Sequence, residues 1–154
     1  MQSVYARFDT AVYGSGWEAF GVRARRDEVL PRDYRRACRG AKVVLGGDWT
    51  RACRRYFSNR TWFTLGCGGF LLTSYVPGLE EIFDDHRELV WYRDDDECLE
   101  LIAHYLPRED ERRRIAAAGR AFALARRTYD DFARDLVAHL EGRPVDFAPA
   151  ARAG

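Results

Sequence analysis

The stretch from Ser58 to Thr73 constrains the fold more than any other part of the chain. A helical segment carrying Trp62, Leu65 and Gly66 on one face runs into Gly68-Gly69 and then straight into the apolar run 70–73. Paired glycines stop a helix, and a short β-rich run directly behind them predicts a helix that returns the chain to a buried strand.

The same unit recurs on both sides. Upstream, residues 10–13 read as a buried strand ending in Gly14-Ser15-Gly16 and Trp17, residues 20–24 as a weaker second strand, 33–38 as a short helix after Pro31, and 42–45 as a strand closed by Gly46-Gly47. Downstream, Pro77-Gly78 marks a turn, 79–83 a short helix and 89–92 a further strand, after which the pattern is helical. Asp94 with Glu97 predicts a capped helix start, and Pro107 ends that helix. The next helix opens on Glu109, Asp110 and Glu111 and puts Ile115, Ala118, Phe122 and Ala125 in one stripe. Thr128 with Asp131 caps a last helix whose apolar positions are Tyr129, Phe132, Ala133, Leu136, Val137 and Leu140, closed by Gly142 and Pro144. Strands alternating with helices predict an α/β class: a Rossmann-like, mostly parallel sheet flanked by helices, with the C-terminal helices packed on the domain. Residues 1–147 are expected to form one domain, and 148–154 a disordered tail.

A chain of 154 residues suits one domain with a real core, which its 47% hydrophobic share supplies, and a 32% charged share argues against a low-complexity disordered chain. No apolar stretch is long enough to span a membrane and the first eight residues lack a secretion-signal layout, so a cytoplasmic location is expected. Cys38, Cys53, Cys67 and Cys98 show neither zinc-ribbon nor disulfide-scaffold spacing and are read as reduced, mostly buried side chains. Residues 1–77 carry 13 basic against 6 acidic side chains and residues 78–154 carry 12 against 18. One half therefore attracts anions that the other repels.

Metal and nucleophile chemistry find little support. His86, His104 and His139 are scattered, without a helical His pair or a neighbouring nucleophile. Asp94-Asp95-Asp96 contains an Asp-x-Asp pattern, but directly before an amphipathic helix it is explained by capping and dipole complementation, and Asp84-Asp85-His86 reads as a turn. No metal and no cofactor is expected. Ser58, Asn59 and Arg60 offer something different: a helix start with free backbone N–H groups beside a forked cation, which suits a phosphate. Gly14, Ser15, Gly16 and Trp17, at the end of a predicted strand, would let a backbone approach the same ligand. Both fragments also serve as ordinary tight turns.

The segment SNRTWFTLGCGGFLLT, followed by PGLEEIF, LVWY and IAAAGRAFALARRTYDDF, and preceded by VYGSGW and AKVVLG, resembles the C-terminal domain of the CgeB-like (spore-maturation-type) glycosyltransferases over about residues 10–140. That resemblance implies half of a GT-B fold, in which a nucleotide-sugar donor lies between two Rossmann-like domains and a metal is dispensable. It implies that Gly14, Ser15, Gly16 and Trp17 border the donor cleft, that Asn59 and Arg60 face the diphosphate, and that Gly68 admits the nucleotide close to the backbone. Near-neutral total charge argues against a nucleic-acid partner, although Arg51, Arg54, Arg55 and Arg60 lie near Tyr56 and Trp62 in sequence.

Two departures from that family bear on function. Phe63 stands where relatives carry a glutamate that binds the donor ribose, and Arg55 stands where retaining GT-B enzymes carry its partner. A GT-B enzyme also needs an acceptor domain, along with a strand and helix ahead of VYGSGW, and residues 1–8 read as the tail of that helix. The chain is thus expected to be incomplete alone, its general base in the other half, completed by a missing domain or partner chain. A strand missing from mid-sheet predicts marginal stability or self-association. The alternative expectation is a non-catalytic interaction module derived from such an enzyme.

Overall fold

The computed structural model describes residues 2–25, 31–48, 50–126 and 128–145. The predicted tail lies outside them. Three short strands, β1 (Val44–Leu45), β2 (Leu71–Ser74) and β3 (Val90–Tyr92), form a parallel sheet in the order β1-β2-β3. Register pairs Val44 with Leu71 and Leu72 with Val90, so the three strands adjoin directly and the gap expected inside the sheet is not there.

Among the described residues six α-helices flank the sheet: α1 (Gln2–Arg7), α2 (Pro31–Gly40), α3 (Arg60–Cys67), α4 (Asp95–Tyr105), α5 (Glu109–Arg126) and α6 (Tyr129–Leu140), with 3-10 turns at Trp17–Phe20 and Leu79–Glu81. Parallel strands are buried on both faces, which is why β2 and β3 read as unbroken apolar runs. Leu72, Val90 and Tyr92 face one core with Phe70, Val4, Cys98, Ile102, Tyr105 and Ile115, whereas Leu71 and Trp91 face the other with Leu65, Val76, Phe83 and Ala123. Phe83 is fully enclosed by the rings of Phe57, Trp62 and Phe122.

Local chemistry sets the helix ends. At the end of α3, Gly68 takes φ 79° and the N–H groups of Gly68 and Gly69 return to Leu65 O and Thr64 O, a Schellman closure that needs glycine's left-handed freedom. Asp94 caps α4 by accepting from Glu97 N at 2.8 Å, and Glu97 reaches back to Arg93 N rather than to the cap itself. The buried Arg112 donates to Tyr105 O and Leu106 O, satisfying carbonyls at the end of α4.

Three expectations are corrected. Residues 10–13 and 20–24 form no strand: Tyr13 makes a single bridge, Gly14 and Gly21 adopt positive φ of 106° and 69°, and the segment is mostly exposed. Four apolar residues do not make a strand unless a neighbour offers a free edge. The buried line of α5 is Arg112, Ile115, Gly119 and Ala123, rotated from the expected stripe, and Ala125 is exposed. Finally, α6 has the predicted limits and capping box, but none of its residues is buried.

Candidate functional site

In a β1-α3-β2 unit with parallel strands, the helix must begin at the carboxyl ends of the strands, where open α/β sheets hold their ligands. Here β1 leaves through Gly46 and Gly47 to Asp48, and the Asp48 carboxylate ties that exit to the start of α3 by accepting from Ser58 N at 2.7 Å. Ser58 is the working cap: its Oγ accepts from Arg60 N at 3.2 Å, while Asn59 already has helical backbone angles and its side chain caps nothing. Asn59 and Arg60 are exposed, and the Arg60 guanidinium makes no hydrogen bond or ion pair among the described residues.

Around that helix start the carboxyl ends of the strands carry arginines and tyrosines. Arg51 donates to Arg93 O at 2.6 Å and lies 5.5 Å from the centre of the Tyr92 ring, while Arg93 sits 5.1 Å from that of Tyr75. Tyr92 Oη reaches across the sheet to Gly46 O at 3.1 Å, and burial pushes its pKa up to about 12, so it stays a neutral donor. A side chain on Gly46 would press on Thr73 Oγ1 at 2.8 Å, which keeps this exit narrow. A cavity of about 120 Å³, lined by Ser3, Val4, Leu45, Arg51, Tyr92, Asp95 and Cys98, opens on the α4 side of the same edge. Arg54 and Arg55 both pair with Glu81, whose carboxyl is held below its ordinary range chiefly by the hydrogen bond from Arg55.

The candidate residues fall in three places. Ser58, Asn59 and Arg60 lie together at the carboxyl end of the sheet. The segment Gly14, Ser15, Gly16 and Trp17 is a self-closing loop, with Trp17 Nε1 donating to Tyr13 O at 3.1 Å and Val22 N to Trp17 O at 3.2 Å, and Ser15 and Gly16 exposed. Gly68 closes the far end of α3, one helix length (about 12 Å) from Arg60, against Arg120 Cδ. The structure does not bring Gly68 to the helix start.

Phe63 is 45% exposed with the Tyr129 ring 6.4 Å away, and Arg55 holds a positive φ of 58°. Trp62 packs into the aromatic cluster of Phe57, Phe83 and Phe122. Sequence reasoning missed Arg93 and Tyr75; Arg93 directly follows the predicted strand 89–92 and Tyr75 lies two residues past the predicted strand 70–73, positions that themselves signal the ligand edge of a parallel sheet.

Among the described residues no group of three His, Cys, Asp or Glu side chains is placed to hold a metal ion. Asp94 serves as the cap of α4, and His86 Nδ1 is bonded to Tyr105 Oη at 2.5 Å. No described helix is long and apolar enough to cross a membrane.

No curated protein and no solved structure matches the chain significantly. A family described as glycosyl transferase-like matches residues 1–138, nearly the whole chain, and agrees with the parallel α/β sheet. The chain therefore belongs to the glycosyl transferase-like family.

Proposed function

We propose that this domain binds the nucleotide-sugar donor of a CgeB-like GT-B glycosyltransferase, with the diphosphate seated at the start of α3, and that an acceptor domain or partner chain completes the enzyme. The observation that carries the proposal is the Arg60 guanidinium: exposed, without a partner among the described residues, on a helix that opens at the carboxyl ends of parallel strands. When the bond between the sugar's anomeric carbon and the diphosphate breaks, negative charge gathers on the departing phosphate oxygens. A guanidinium and the positive end of a helix both stabilise that charge. Arg51 stands at the same edge, beside Arg93, which is itself paired with Glu97 at 3.8 Å. Gly14, Ser15, Gly16 and Trp17 are proposed to border the cleft from their exposed loop. Gly68 acts on the donor through the shape of α3 rather than by contact.

The test is a thermal-shift series with UDP, GDP and ADP on the wild-type chain and Arg60→Ala. One nucleotide is expected to raise the melting temperature, and the substitution to remove the shift. A second reading, a non-catalytic module descended from such an enzyme, is favoured by Phe63 in place of the ribose-binding carboxylate and by Arg55 committed to Glu81. It predicts no shift with any of the three at millimolar concentration.

A further inference from the structure

Helix α2 carries its charge on one side. Tyr34 and Cys38 turn toward α3, Tyr34 Oη bonding Thr64 Oγ1 at 2.7 Å and Cys38 buried, while Arg32, Arg35, Arg36 and Arg39 are all exposed. At 100° per residue those four arginines fall within an arc of about 100° opposite the buried pair, and Lys42 follows, also exposed. From residue 31 to residue 47 the one acid is Asp33, and α3 beneath has none. Arginines of α5 and α6 find acids on their own helix, Arg113 with Glu109 and Arg134 with Asp131. On α2 only Arg36 does so, with Asp33 at 3.8 Å; Arg32, Arg35 and Arg39 form no ion pair among the described residues. Arg32 and Arg39 each stand three or four residues from both Arg35 and Arg36, and like charges at that spacing weaken a helix. An anionic surface laid against this face relieves the repulsion.

We propose that this face docks the domain on a membrane surface, with α2 laid flat on anionic lipid headgroups and held there by charge alone. The exposed arc holds no aromatic side chain, Tyr34 being turned onto Thr64, so it offers the bases of a single strand nothing to stack on. Nor does α2 project as a helix entering a duplex groove must. It lies lengthwise on α3, with Tyr34 against Thr64 and, one turn further, Cys38 Cβ only 3.2 Å from where a side chain on Gly69 would begin. A flat basic strip suits a plane of headgroups, where each cation contributes about 5-fold to binding and no register is needed. Screening confines the attraction to about 8 Å. The five basic side chains of this strip, against the single acid Asp33, therefore count for more than the near-neutral total of +1.

Co-sedimentation of the full chain with vesicles tests this, using phosphatidylcholine alone and phosphatidylcholine with about 30% phosphatidylglycerol, at about 0.05 and 0.5 M salt. Binding is expected to the anionic vesicles only, and to be lost at the higher salt. Arg35→Gln combined with Arg39→Gln is expected to weaken it about 25-fold, two cations at about 5-fold each, with a melting temperature no lower than the wild type's. Arg113→Gln combined with Arg143→Gln removes the same charge from the other half of the chain and is expected to leave binding unchanged. Absence of binding to anionic vesicles, binding that survives high salt, equal losses in the two double variants, or tighter retention on duplex DNA or single-stranded RNA than on anionic vesicles would each overturn the proposal.

Discussion

Asp48 Oδ1 sits 2.7 Å from the backbone nitrogen of Ser58, so a carboxylate of the chain itself already occupies one of the N–H groups at the start of α3. A bound diphosphate has to share that corner with it. Like charges a few ångströms apart in a solvated crevice cost about 1 kcal/mol. Asp48→Asn, which keeps an acceptor for Ser58 N and removes the charge, is predicted to tighten nucleoside diphosphate binding about 5-fold. Calorimetric titration of the two proteins checks this, and weaker binding by the variant would mean that Asp48 shapes the site rather than competes for it.

Gly119 packs α5 against the loop before β3. A Cβ there would stand 2.2 Å from Glu88 O and 2.8 Å from Leu65 Cδ2, and the first of these is backbone that cannot swing aside. Gly119→Ala is predicted to destabilise the fold by about 1–3 kcal/mol despite alanine's better helix propensity. Urea unfolding measures the loss, and an unchanged midpoint would show that α5 does not approach so closely.

The cap of α6 gives a pH dependence with a defined sign. The Asp131 carboxyl is lowered from 3.8 to about 2, first by the Thr128 hydroxyl, then by the Thr128 amide and by Arg134. A depressed folded-state pKa contributes stability that is complete above the unfolded value and is lost as pH falls through the folded one. Protection of the α6 amides is therefore expected to decline between pH 4 and 2, and to be flat over that range in Asp131→Asn.

The four cysteines are free thiols in different settings. Burial pushes Cys98 up to about 11 and raises Cys38, whereas Cys53 is exposed. Because the thiolate is the reactive form, a native-state thiol reagent is predicted to modify Cys53 first and to leave Cys38 and Cys98 until unfolding. Mass spectrometry of the labelled peptides reads the order, and early labelling of Cys98 would contradict its placement in the core.

What the sequence disclosed follows the range of the interactions involved. Helix starts at Asp94 and Thr128, the glycine end of α3 and the strands around residues 44, 71 and 90 were legible because their causes lie within a few residues: caps, positive φ and runs buried on both faces. Residues 10–13 look as strand-like as 42–45, and only the offer of a sheet edge separates them. The periodicity of α6 was equally plain, but periodicity states that a face is apolar and says nothing of what covers it. At the site, Ser58 and Arg60 were found because a helix start is a local feature. Gly68 was read correctly as the end of α3, and its donor contact came only from the family resemblance, not from its own surroundings. Arg93 and Tyr75 were missed because their meeting depends on strand order.

The central claim is that the start of α3 seats a diphosphate, and the most direct measurement is calorimetric titration of UDP, GDP and ADP into the wild-type chain and into Arg60→Ala. The account predicts submillimolar binding of at least one, weakened about 10- to 150-fold by loss of one charge-assisted hydrogen bond of about 1.5–3 kcal/mol. Absence of binding by all three at millimolar concentration, or an affinity that Arg60→Ala leaves untouched, would contradict it.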